Sequence, residues 1–94
     1  MRQRAGSGGT VISFEEAAFS EYWHWAVEDI KIFEKINKFI VEIGRDPFHG
    51  TGKPEPLKGN LSGYWSRCIT EEHRLVYKVL PDHIVIVSCK YHYK

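Results

Sequence analysis

The sequence predicts an α+β fold, with two N-terminal helices packed on one face of a small twisted, mostly antiparallel β-sheet. Three observations predict it. Apolar residues recur at helical spacing between positions 15 and 43. A loop dense in proline and glycine follows. From Tyr64 onward the pattern changes to alternation, the period of strands. With 94 residues, 14% of them aromatic, the chain is too rich in large apolar side chains for a disordered tail and is sized for one small core. Residues 10–94 are read as one domain. Residues 1–9 (MRQRAGSGG), without apolar periodicity, are read as an expression remnant or an unstructured extension.

Thr10–Phe14 is β-prone. Glu15–Val27 carries Ala18, Phe19, Tyr22, Trp23 and Ala26 on one helical stripe, with Glu15, Glu16 and Glu21 at the end where the helix dipole favours negative charge. Glu28-Asp29 is a short polar break. The second helix aligns Ile32, Phe33, Ile36, Phe39, Ile40 and Ile43, with Gly44 as its terminator and Pro47 preventing resumption. The period of these aromatics is that of a core stripe rather than a platform for stacking bases. Phe48–Gly63 is loop. Strands are expected at Tyr64–Thr70, Arg74–Val79 and His83–Tyr93, with turns at Glu71-Glu72 and Pro81-Asp82. Continuous alternation along the last strand puts Val85, Val87, Cys89, Tyr91 and Tyr93 on one face and Ile84, Ile86, Ser88, Lys90 and His92 on the other. On that reading Arg74 and His92 project from the same open face.

Charge is unevenly distributed. From Glu15 to Asp46 eight acids oppose four bases, net −4; from Pro47 to Lys94 seven bases oppose four acids, net +3. The second half therefore suits a polyanion. Cys68 and Cys89 fit no metal-ligand spacing and read as reduced thiols of a cytoplasmic protein, with a single disulfide as the alternative. No apolar run reaches the ~18 residues of a membrane span, and no secretory signal, Gly-rich phosphate loop or nucleophile elbow is present.

The chemistry-bearing residues gather in the basic half. Glu55 stands between Pro54 and Pro56, flanked by Lys53 and Lys58. Cleaving RNA through its own 2′-hydroxyl needs a base, an acid for the departing 5′-oxygen, and a cation for the phosphorane-like transition state. Glu55 suits the base, His92 the acid and Arg74, with its planar fork, the cation. Tyr93 and Tyr64 suit base stacking or hydrogen bonding. Each has a plainer reading: Glu55 as a solvated loop acid, Arg74 as partner of Glu71 or Glu72, His92 as an ordinary terminal histidine. His24, His49, His73 and His83 are read as structural. No metal or cofactor is called for.

Gly52-Lys53-Pro54-Glu55-Pro56-Leu57-Lys58, then Asn60-Leu61-Ser62-Gly63-Tyr64-Trp65-Ser66-Arg67, Ile69-Thr70-Glu71-Glu72-His73-Arg74-Leu75-Val76-Tyr77 and the terminal Tyr91-His92-Tyr93 resemble the YoeB/Txe toxins of the RelE-like toxin–antitoxin superfamily. The resemblance runs from about Thr10 to Tyr93. It implies a microbial-ribonuclease-like fold and a ribosome-dependent endoribonuclease that cuts mRNA in the A site without metal. It implies catalytic roles for Glu55, Arg74, His92 and Tyr93, and RNA contacts for Lys58 and Arg67, so that Lys53, Lys58, Tyr64 and Arg67 form the expected RNA-binding set. It also implies a cognate YefM/Axe-like antitoxin and a homodimer. Cys68 stands where the family usually has a second arginine, and Lys94 extends past its usual His-Tyr end. Two rivals stay open: a non-catalytic poison of DNA gyrase, as in the related ParE toxins, or an inactive antitoxin-binding co-repressor.

Overall fold

The computed structural model describes residues 10–91. The extension expected at 1–9, and His92, Tyr93 and Lys94, lie outside the described residues. In chain order the elements are β1 (Val11–Phe14), α1 (Glu16–Glu28), α2 (Ile30–Arg45), β2 (Glu55–Pro56), a 3₁₀ turn (Gly59–Leu61), β3 (Tyr64–Cys68), β4 (Arg74–Val79) and β5 (His83–Ser88). The sheet order is β1-β5-β4-β3-β2. β1 runs parallel to β5, pairing Val11 with His83 and Phe14 with Ile86, and the other neighbours are antiparallel.

The helical hairpin is made by one residue. Asp29 is extended and serves both as the C-cap of α1 and as the N-cap of α2. Its carboxylate accepts from the backbone of Lys31 and Ile32 at 3.1 and 3.3 Å, covering amides that the helix start leaves without partners. The α2 stripe buries Ile36, Phe39 and Ile43 as its period predicts, against Leu75 and Tyr77 of β4 and Ile84 and Ile86 of β5. Gly44 lies within the last helical turn rather than beyond it, and α2 continues to Arg45. On α1 the expected stripe is rotated. Phe19 and Trp23 are exposed, and Trp25 is buried instead, its Nε1 satisfied by donating to the Cys89 carbonyl at 2.9 Å.

Two strands end earlier than alternation predicts. β3 stops at Cys68 because the Ile69 and Thr70 amides turn to the His73 carbonyl. β5 stops at Ser88. A bulge pairs Tyr77 with Ile86 but Val76 with Ser88, skipping Val87 and shifting the phase. Ile84 and Ile86, and beyond the strand Cys89, therefore all reach the core. The uninterrupted face assignment expected through Tyr93 does not hold. The loop also contains β2, a strand of two residues, Glu55 and Pro56, too short to show a period.

Candidate active site

Sheet register brings one row of side chains together. Glu55 pairs with Ser66, Ser66 with Val76 and Val76 with Ser88, across all four antiparallel strands. Glu55, Ser66 and Val76 lie on the face away from the helices, since Leu75 and Tyr77, on either side of Val76, face the core, whereas past the bulge the Ser88 hydroxyl reaches Glu21 of α1. Arg74 is two positions along β4 on the same face, opposite Cys68. Its Nη1 donates to Ser66 Oγ at 3.2 Å and lies 4.0 Å from Glu55 Oε1. That separation is too long for a hydrogen bond, and a pair this exposed contributes at most about 1 kcal/mol. The carboxylate and guanidinium are thus held side by side by the sheet rather than by each other. Ser66 and Val76 are buried beneath them, giving the two ions a firm floor.

Tyr64 follows the same face of β3, opposite Lys78, whose ammonium stands 5.2 Å from its ring. Lys53 and Lys58 are exposed on either side of β2, and Lys53 has φ +52°. Lys53 lies two residues before Glu55 and Lys58 three residues after it, and Tyr64 shares the Arg74 face of the sheet. The Cys68 thiol shares their face and approaches the Thr70 carbonyl at 3.1 Å. Cys89 is a different thiol. Burial, followed by the nearby Glu21 carboxylate, pushes its pKa up to about 12, so it stays protonated and inert.

Arg67, expected among the RNA-binding cations, is completely buried. Alternation puts it on the core side of β3 with Trp65 and, beyond the strand, Ile69. Its Nε donates to Tyr77 Oη at 3.1 Å, Nη1 to Glu42 Oε1 at 2.8 Å and to the Thr51 carbonyl at 3.1 Å, and Nη2 to the Asp46 and His49 carbonyls at 3.1 and 2.9 Å. All five guanidinium donors are engaged. Arg67 is therefore the anchor of the 46–51 loop, not a contact for RNA. The close approach needs glycine: a Cβ on Gly50 would lie 2.5 Å from Glu42 Oε1, and both Gly50 and Gly52 have positive φ. Glu42 is held below its usual pKa by the Thr51 amide first, then by the Thr51 hydroxyl and Arg67. Burial raises that of Tyr77, whose hydroxyl donates to the Pro47 carbonyl at 2.7 Å. A cation alternating with apolar residues on a strand is the signal that identifies Arg67 in the sequence.

His73, which the sequence reads as structural, lies beside Arg74 at the start of β4. It is buried, its ring lies 4.8 Å edge-on from Trp25 and 5.3 Å from Tyr91, and its Nδ1 accepts from the Tyr91 amide at 2.8 Å. The Tyr91 carbonyl in turn accepts from the Arg74 amide at 3.2 Å. The chain is thus tied to the start of β4 at the residue preceding His92.

A family model described as the YoeB-like toxin of bacterial type II toxin–antitoxin systems matches residues 14–93. A Streptomyces coelicolor protein named toxin YoeB is 56% identical over 82 residues, spanning 87% of this chain and 98% of its own. Among solved structures, a YoeB dimer from Staphylococcus aureus aligns with a TM-score of 0.82 at 49% identity, over 89% of this chain and 98% of that one. A heterotetrameric YoeB–YefM toxin–antitoxin complex from the same organism aligns with a TM-score of 0.80, at the same identity and coverage.

Proposed function

The chain belongs to the YoeB-like toxins of bacterial type II toxin–antitoxin systems, and on that premise we propose that it is an endoribonuclease that cuts mRNA in the ribosomal A site and arrests translation. The observation that carries the reading is the exposed Glu55 carboxylate 4.0 Å from the Arg74 guanidinium on one face of the sheet.

Glu55 takes the proton of a ribose 2′-hydroxyl as that oxygen attacks the adjacent phosphorus. The O2′–P bond forms, the P–O5′ bond breaks, and His92 gives a proton to the departing 5′-oxygen. The products are a 2′,3′-cyclic phosphate and a 5′-hydroxyl. Arg74 offsets the charge that accumulates on the phosphorane oxygens, and Tyr93 helps orient the scissile nucleotide. Lys53, Lys58 and Tyr64 hold the flanking RNA, with Arg67 shaping the loop instead of touching it. No metal or cofactor enters the step. The working compartment is the cytoplasm, where the ribosomes are.

A YefM-like antitoxin and a second copy of the chain are the partners this reading calls for. The exposed Phe19, Trp23 and Val27, four residues apart on α1, supply apolar surface for such contacts. The test is to map the 5′ ends of mRNA in a reconstituted translation system with and without ribosomes. New ends within A-site codons that require both ribosomes and Glu55 are expected. Intact mRNA, with DNA breaks accumulating in expressing cells, would replace this function by poisoning of gyrase.

A further inference from the structure

We propose that His73 is a positioning residue for the reaction: by accepting the Tyr91 amide at Nδ1, it fixes the backbone of Tyr91 against the start of β4 and registers it to Arg74. The roles of His92, Tyr93 and Arg74 rest on the function proposed above; the strap itself rests on contacts among described residues.

Residues 89–91, together with Ser88 at the end of β5, form a short strap bonded along its length. Glu21 of α1 accepts from the Cys89 amide at 2.9 Å and the Ser88 hydroxyl at 3.4 Å, and Trp25 donates to the Cys89 carbonyl. At Tyr91 the tether changes from α1 to β4. Both backbone groups of this residue are taken, its amide by His73 and its carbonyl by the amide of Arg74. Tyr91 has φ +62°, a conformation that a non-glycine residue keeps only where its surroundings over-determine it. The two hydrogen bonds, together with the ring of His73 against its own, supply that determination.

The ring is specific in its chemistry as well as its shape. Nδ1 can accept the Tyr91 amide only with its lone pair available, which puts the imidazole proton on Nε2, facing the Glu72 carboxylate at 3.6 Å. A phenyl ring would fill the same space between Trp25 and Tyr91 but leave the Tyr91 amide without its acceptor. Since His73 and Arg74 are consecutive, the residue carrying the transition-state cation and the one holding the strap move as one unit.

Three variants and one spectrum test this. His73→Asn puts an amide oxygen close to the position of Nδ1, His73→Gln carries its acceptor farther out, and His73→Phe keeps the ring without an acceptor. In single-turnover cleavage of ribosome-bound mRNA, His73→Phe and His73→Gln should lose about 100-fold in rate, the scale of a 1 Å misplacement of catalytic groups. Apparent affinity for ribosomes should not change, and His73→Asn should recover most of the loss. Equal rates for the Asn and Phe variants beside an active wild-type protein would overturn the proposal. If the Phe variant does not fold, the contrast of Asn with Gln decides in the same way. In the wild-type ¹⁵N spectrum, His73 Nδ1 should resonate as an unprotonated nitrogen coupled to the Tyr91 amide; a protonated Nδ1 would overturn the strap whatever the enzyme does. A wild-type protein that cleaves nothing would instead overturn the function, leaving the spectrum to decide the strap.

Discussion

Arg67 and Arg74 stand on neighbouring strands one register step apart, Arg67 opposite Leu75 and Arg74 opposite Cys68, yet they are put to opposite uses. Arg67 faces the core side, has all five donors engaged and is sealed from water. Arg74 faces the other way, with a hydrogen bond to Ser66, a loose carboxylate neighbour and 27% of its side chain exposed. A buried guanidinium must be fully partnered, and a fully partnered one has no donor left for a substrate. An exposed guanidinium contributes little to stability and keeps capacity for a phosphate. The loop that Arg67 holds leads through Gly52 to Glu55, so one arginine builds the support on which the other's partner is presented.

Substitutions should separate the two. Replacing Arg67 with alanine is expected to have the largest effect on folding, about 3–5 kcal/mol, because it strips a buried ion pair and orphans several loop carbonyls. Urea unfolding measures this, and a loss below 1 kcal/mol would mean that Arg67 is not the anchor. Arg74→Ala and Glu55→Gln should each lower the cleavage rate by about 10³-fold while changing stability by no more than about 0.5 kcal/mol. A parallel loss of stability would blur the contrast. Tyr77→Phe should remove about 1–3 kcal/mol, since the hydroxyl both accepts from Arg67 and donates to Pro47 in a buried setting; RNA cleavage by the folded fraction should be unchanged.

The smallest effect is an acid limb on stability. Glu42 has a folded-state pKa below its ordinary 4.5. Its contribution is therefore complete above that value and is lost as pH falls from there through the lower folded value. Wild-type protein should lose stability over this window more steeply than Glu42→Gln, which has no carboxylate to protonate. Equal slopes in denaturant midpoint against pH would remove Glu42 from the loop anchor.

Much of this was legible before any coordinates. The α2 stripe, the span of β4 and the setting of Glu55 between two prolines all follow from local pattern, whereas the approach of Glu55 to Arg74 comes from the register of β2, β3 and β4. The failures have physical causes. The family resemblance places Arg67 among the RNA contacts, whereas its alternation with Trp65 and Ile69 puts it on the buried side of β3. Phe19 and Trp23 turn outward while Trp25 packs inward and meets Cys89, 64 residues away, a contact that local pattern does not contain. The face assignment of β5 failed at Val87 because the bulge arises from how β4 and β5 pair, which neither strand reveals by itself.

Alone, the sequence determined which segments are helical and which extended, and through its Gly-Lys-Pro-Glu-Pro and Glu-Glu-His-Arg motifs the family to which it belongs. Periodicity, capping and motif are properties of neighbouring residues and need no fold to be read. The tertiary structure decided which arginine is sealed, which face of β5 meets the core, and that His73 holds the strap at Tyr91. Burial and hydrogen-bond partnership depend on groups brought together from across the chain, and those become neighbours only when the sheet closes against the helices.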